Sequence, residues 1–440
     1  MTPTDTHIRR RLGPWTATLL IVASMIGTGV FTTTGLLLAD IGSPQAVLAC
    51  WLVGGLLALS GALSYAELAT ALPHNGGEFL FLSRIYHPAV GFVAGVVSLI
   101  VGFSAPVAAS AIALSLYLDR VFPGMPTLPI SIVIVLGLSA IHAWRVTAGG
   151  RFQVLITSCK VLLMVGLIFV GWWRGDPSRL WTGTGDTFAA VLSPEFAVGL
   201  VLVSFAYTGW NASIYIAGEL ANPRRNIPLS LAAGTAIVTL LYLGLNAAFL
   251  MAAPAERLTG VVEIGHVAAA GLFGSDGARA LSAVIAVGLI STISAYIMSG
   301  PRVYEAMGAT YPSLQFLTGR GAHSTRGPIA AIALQALLAI AMALTASFEA
   351  LLTYVGFTLS IFAALTVAGV IILRIREPQL ERPFRVSGYP ITPVVFVTLM
   401  LWMIWNSIGL APGVAVAGGG TLLLGGALYV WFGRDSATAA

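Results

Sequence analysis

Ser24-Met25-Ile26-Gly27-Thr28-Gly29-Val30-Phe31 stands near the middle of the first long apolar run of the chain, and Ser204-Phe205-Ala206-Tyr207-Thr208-Gly209-Trp210-Asn211 near the middle of the sixth. In lipid, a gap in the helical hydrogen-bond ladder is tolerated only where it lines a cavity or a protein interior. Glycine removes the steric penalty of leaving helical geometry. An unwound stretch frees backbone N–H groups at one half-helix start and carbonyls at another half-helix end, the first suited to a carboxylate and the second to an ammonium. One zwitterion satisfies both. Glycines in membrane helices also serve close packing alone. The two stretches, however, open corresponding halves, spans 1–5 and spans 6–10, as expected of an inverted-repeat transporter. The halves share no clear sequence identity, so the repeat rests on span order.

Composition sets the solvent around these stretches. Of 440 residues, 57% are hydrophobic and 9% charged, and the mean hydropathy is +0.91. A soluble domain carries about 25% charged residues, so this chain cannot cover a water-facing surface. A crossing needs about 20 apolar residues, and the chain divides into twelve runs: 15–38, 44–70, 88–118, 126–143, 152–173, 195–218, 227–253, 278–305, 328–347, 349–375, 390–410 and 414–432. The fold class is therefore all-α and polytopic. A short N-terminal segment (1–14) precedes a ten-helix core (15–375), and two further helices and a short tail follow (376–440). The basic N-terminus leads into the first run without a small-residue cleavage site, so this run reads as a retained span.

Arginine placement gives the orientation. With the N-terminus inside, sixteen arginines fall on inner loops and five on outer ones, as the positive-inside rule requires. Both termini are expected in the cytoplasm of a cell with the chain in its inner or plasma membrane. The net charge of +5 then reflects topology and lipid headgroups, with no nucleic-acid partner implied. Cys50 and Cys159 lie inside predicted spans and read as small apolar side chains, not as a disulfide framework.

Three stretches carry a resemblance: Met25-Ile26-Gly27-Thr28-Gly29-Val30-Phe31; Gly61-Ala62-Leu63-Ser64-Tyr65-Ala66-Glu67-Leu68 with Pro73 and Gly76-Gly77-Glu78-Phe79; and Phe205-Ala206-Tyr207-Thr208-Gly209-Trp210-Asn211 with Glu219, Asn222-Pro223 and Arg225-Asn226-Ile227-Pro228. Over nearly its full length the chain resembles the amino acid–polyamine–organocation superfamily, and most closely its L-type exchangers and bacterial alanine-exchanging members. The resemblance implies the leucine-transporter fold, a five-plus-five inverted repeat with broken helices 1 and 6. It implies that the N–H groups of Thr28 and Gly29, with the Thr28 hydroxyl, hold the substrate carboxylate. The carbonyls of Met25, Phe205 and Thr208 would receive the amino group, and Phe205 would gate the ligand. Ile26, Gly27, Ala206, Gly209 and Asn211 complete the implied site. The superfamily usually has serine where Thr28 stands and often glycine where Thr208 stands, and the added side chain favours a small substrate.

Lys160 is the only lysine, set in Val154-Leu155-Ile156-Thr157-Ser158-Cys159-Lys160-Val161-Leu162-Leu163-Met164. A charge at mid-membrane costs at least ~2.5–3.5 kcal/mol on insertion scales, so a residue kept there is a functional candidate. Snorkelling to the interface is the bland alternative. From span 5's start, Lys160 lies ~12–13 Å deep at 1.5 Å per residue, which its stem does not comfortably bridge. In sodium-independent members of the superfamily, a span-5 lysine replaces a bound sodium ion. By that resemblance Lys160 ties the carbonyls of Ile26 and Gly27 to hydroxyls such as Ser291 or Thr292. Its proton is a candidate coupling ion; a fixed charge permitting exchange is the alternative.

No carboxylate is expected at mid-membrane: Glu67, Glu219 and Glu305 fall near span ends, within reach of arginine-rich loops. A permease for cationic amino acids or polyamines would place an acid against the cationic tail, and by the resemblance that acid stands where this chain has Asn211. A small neutral amino acid is the expected substrate, with a sodium symporter or a cationic permease as alternatives. All six histidines (His7, His74, His87, His142, His266, His323) fall in loops or at span edges. No metal site, cofactor or catalytic residue is therefore expected, and neither an enzyme nor a channel with a continuous polar pore is supported. The sequence names no partner subunit. The stretch 258–273 reads as a lid over the vestibule or as an interfacial anchor.

Overall fold

A computed structural model describes residues 13–72, 77–144, 150–182, 187–214, 220–318 and 328–433. Residues 1–12, Pro73, His74, Gly76, Arg145, Glu219, Arg320, His323, Arg326 and Arg434 lie outside the described residues. The described chain is helical, with no strand among the described residues.

In chain order, α1 is Pro14–Met25, followed by a 3-10 turn at Gly29–Phe31 and α2 at Thr33–Ile41. Next come α3 (Pro44–Ala71), α4 (Gly77–Ile85), α5 (Pro88–Val97) and α6 (Ala105–Val121), with a π-helical turn, Ser98–Ser104, joining the last two. Then follow α7 (Thr127–Trp144), α8 (Gly150–Arg174), α9 (Thr187–Val191), α10 (Pro194–Ala206), α11 (Pro223–Ala252), α12 (Ala255–Leu258) and α13 (Ile264–Thr310). The last four are α14 (Ile329–Thr345), α15 (Phe348–Arg376), α16 (Ile391–Leu410) and α17 (Pro412–Leu428). Among the described residues, nine helical stretches are long and apolar enough to cross a membrane. Three shorter apolar helices, α1, α10 and α14, stand beside them.

The starts of these helices are written locally. Ser43, Ser193 and Ser347 cap α3, α10 and α15, each accepting a backbone N–H three residues on, from Ala46, Phe196 and Ala350. Proline opens α1, α3 and α10, where its missing N–H would be unpaired anyway. The 47-residue α13 is longer than any single crossing needs. Gly274 (φ 76, ψ −173) leaves helical geometry and divides it, so the expected span 278–305 is preceded by a separate packed segment. That segment, with α12, sits down on α2. Leu258, Ile264 and Ala269 are fully buried, and the Gly260 N–H donates to the Gly35 carbonyl at 2.7 Å.

The core lies where α11 packs on α3 and α1, and α13 on α6. The second half-helix, α10, packs on α15, α16, α3 and α2.

Candidate functional site

Both half-helices are of matching length, 12 residues in α1 and 13 in α10. At 1.5 Å per residue each reaches roughly 18–20 Å, past the middle of a ~30 Å hydrocarbon core. The Ile26 N–H makes the last α-helical bond of the first half, to Val22 at 3.1 Å. The chain resumes at Gly29–Phe31, where Phe31 donates to the Thr28 carbonyl at 3.1 Å. Among the described residues the N–H groups of Thr28 and Gly29 meet no acceptor. In the second break the N–H and hydroxyl of Thr208 both donate to the Phe205 carbonyl, at 3.0 and 2.7 Å.

The two breaks lie against each other and run in opposite directions. A Cβ placed on Gly29 would stand 2.5 Å from the Ala206 Cα, and one on Gly209 would stand 2.6 Å from the Ser24 carbonyl oxygen. Gly209 also has φ +97, a backbone conformation that only glycine enters readily. Position 29 thus faces 206 while position 24 faces 209, an antiparallel register of two unwound segments.

A cavity of about 440 Å³ opens beside this crossing. Of the expected ligand residues, Ile26, Thr208, Gly209 and Asn211 line it, along with Ser24, Trp210, Tyr296 and the π-turn residues Ser98, Gly102 and Phe103. Met25, Thr28, Gly29, Phe205 and Ala206 are buried behind that wall, and Gly27 lines a second, smaller cavity. Several expected contacts already have partners inside the protein. The Thr28 hydroxyl is 2.5 Å from that of Ser110, and the Met25 carbonyl accepts from Tyr242 at 2.6 Å. The cavity is walled by α1 and not by α2, and it extends to the exposed Arg302. Phe205 and Tyr117 are buried and do not line it; the Tyr117 hydroxyl donates to the Phe31 carbonyl at 2.7 Å.

Lys160 is 8% exposed, and its ammonium donates to Thr292 Oγ1 at 2.8 Å and to the Ile26 carbonyl at 3.4 Å. Span 5 and span 8 are thereby tied to the end of α1. Ser291, the neighbouring hydroxyl, is fully buried one residue earlier.

Four parts of the site escaped the sequence reading. Tyr242 on α11 reaches both half-helix ends. Trp51 packs edge-on and Tyr207 tilted against it, with ring centroids 5.5 and 5.1 Å from its own, and Tyr207 donates to the Trp51 carbonyl at 3.0 Å. Glu78, read only as part of a loop motif, lines the cavity and accepts from the Tyr65 hydroxyl. The π-turn is the fourth, and such turns often accompany functional sites. The one available signal was a polar atom in each apolar run; nothing in the sequence said which runs would converge.

The profile of a family described as "Amino acid permease" matches residues 12–428. The serine/threonine exchanger SteT of Bacillus subtilis (strain 168) is 30% identical over 411 residues, 92% of either chain. Large neutral amino acids transporter small subunit 2 of Mus musculus is 28% identical over 429 residues, 92% of this chain and 79% of that protein. The cystine/glutamate transporter of Homo sapiens is 25% identical over 416 residues, 91% and 81% of the two.

Proposed function

We infer the function from one premise: this chain belongs to the amino acid permease family, within the amino acid–polyamine–organocation superfamily, and is a multi-pass membrane transporter of amino acids, not an enzyme. We propose that it moves small neutral L-amino acids across the cell membrane by alternating access, without sodium, by exchange or with protons. The chain would cross twelve times with both termini in the cytoplasm. Residues 15–375 would form the transport core and 376–440 the peripheral helices.

The observation that carries this reading is the antiparallel meeting of two unwound segments beside a cavity large enough to admit an amino acid. The zwitterion would sit between them, its carboxylate on the Thr28 and Gly29 N–H groups and its amino group toward the carbonyls of Met25, Phe205 and Thr208. In the form described here, Met25 and Phe205 spend their carbonyls on Tyr242 and Thr208. Ligand entry would therefore exchange internal hydrogen bonds for substrate ones. Sodium independence is supported by Lys160, whose ammonium supplies a positive charge between the Ile26 carbonyl and Thr292. A small neutral substrate is supported by the Thr208 side chain in the cavity wall, by Asn211 in place of an acid, and by the serine and threonine named for the Bacillus relative.

Glu78 favours one second reading, a substrate with a cationic tail, because its carboxylate faces the same cavity. Arg302 on that wall opposes it. Uptake of radiolabelled serine, alanine, leucine and arginine into proteoliposomes, empty or preloaded and under imposed sodium or proton gradients, separates these readings. Serine or alanine uptake that is indifferent to sodium is expected. Arginine uptake with no neutral uptake would replace the proposal by the second reading.

A further inference from the structure

The bundle holds a second cavity, of about 170 Å³, between α8 and α13. Its floor is Gly27 and Phe31, beside the break in span 1; its walls are Cys159 and the Lys160 stem on one side and Val287 and Gly288 on the other. The mouth faces away from the protein: Cys159 is exposed, and Val284 and Val287 are 49% and 55% exposed. These residues sit within apolar crossing segments, so the medium outside the mouth is acyl chain, not water.

The lining is almost wholly hydrocarbon. The one charged group, the Lys160 ammonium, is turned away toward Thr292 and Ile26. A buried water needs two to four polar partners, whereas an apolar cavity of roughly 150 Å³ stays dry and takes a benzene-sized guest. A void left empty forfeits the dispersion contacts of its lining. We propose that the end of a phospholipid acyl chain occupies this cavity as a lipid ligand of the transporter.

The site is joined to the break in span 1 through Lys160. The lysine stem lies along Gly288, where a Cβ would come within 3.2 Å of Lys160 Cε. A chain end in the cavity buttresses that stem from the open side and keeps the ammonium on the Ile26 carbonyl. The guest also touches Gly27 directly, so span 1 cannot shift at its break without displacing it.

The test places the full-length protein in phosphatidylcholine nanodiscs doped with lipid that carries a diazirine at one acyl terminus. After irradiation, labelled peptides are mapped by mass spectrometry. Label is expected to concentrate on 156–163 and 284–289, above the level on α17, whose Leu423 is 78% exposed on an outer face. Val287→Trp and Cys159→Phe, which plug the mouth from opposite walls, should each abolish that excess and leave the α17 label unchanged. The α17 label serves as the folding control within each sample, and two plugs guard against one failing to fold. Even labelling of all lipid-facing helices in the parent protein overturns the proposal, as does an excess that survives both plugs.

Discussion

The Tyr242 hydroxyl donates to the carbonyl of Met25 at 2.6 Å and stands 3.2 Å from that of Ala206, the last residues of the two half-helices. A single side chain on α11 thus touches both breaks, which approach it from opposite sides of the bundle. Because the hydroxyl has one proton, only one of the carbonyls receives it at a time. Tyr242 therefore positions the unwound segments against each other without welding them.

Tyr242→Phe removes that donor and leaves a buried carbonyl unpaired. The expected loss is about 1–3 kcal/mol, the usual cost of an unsatisfied buried group. It should be read as a lower melting temperature in detergent together with weaker serine binding. A variant with unchanged stability and unchanged binding would show that the hydroxyl has no share in holding the breaks.

Glycine positions divide sharply by what a methyl group would meet. Gly209→Ala must enter a positive φ and collide with Ser24, and Gly29→Ala collides with Ala206. Strain of this kind costs about 1–3 kcal/mol, and both variants should lose transport. Gly137→Ala and Gly166→Ala, where nothing lies within reach, should transport as the parent does. Equal uptake by all four would mean that the close crossing of the breaks is not needed for transport.

The sequence exposed the breaks because a glycine pair inside an apolar run conflicts with uninterrupted helix, and that conflict is local. Lys160 was legible for the same reason, a lone charge among hydrocarbon side chains. Tyr242, Trp51 and Ser110 were not legible. A tyrosine, tryptophan or serine in a membrane helix is ordinary, and their meaning comes from Tyr242 reaching Met25, Ser110 reaching Thr28 and Trp51 reaching Thr34 around the first break. Glu78 was overlooked for a different reason: it lies between two crossings, as span counting placed it, and only the folding of α4 brings it to the cavity. The lid-or-anchor segment near 258–273 was ambiguous because Gly274, which frees it from the following span, looks like any other glycine in sequence.

Glu67 tests the arginine-rich end. Its carboxylate, 2% exposed, accepts from Arg374 at 2.8 and 2.6 Å and from the Val386 N–H at 2.7 Å, and Arg382 stands 3.6 Å away. The pairing expected of an acid near arginine-rich loops is what the structure shows. Removing one partner of a buried pair costs about 3–5 kcal/mol because the other charge is left behind. Glu67→Ala should therefore sharply lower the melting temperature and the yield of folded protein, and Glu67→Gln, which keeps hydrogen-bonding capacity, should lose less. A stable Glu67→Ala protein would mean that the arginines find other partners.

Lys160 carries the proposal on coupling. Lys160→Ala takes the charged donor from the Ile26 carbonyl and from Thr292, and hydrogen bonds to a charged group contribute about 1.5–3 kcal/mol each way. Uptake of serine should fall by about tenfold or more, since each 1.4 kcal/mol is a factor of ten. Thr292→Val, which leaves the lysine with only the Ile26 carbonyl of the pair, should fall less. In the parent protein, exchanging sodium for choline on both sides of the vesicle should change nothing. Parent uptake that requires sodium and persists unchanged in Lys160→Ala would remove the lysine from the coupling site, and with it the physical basis for sodium independence.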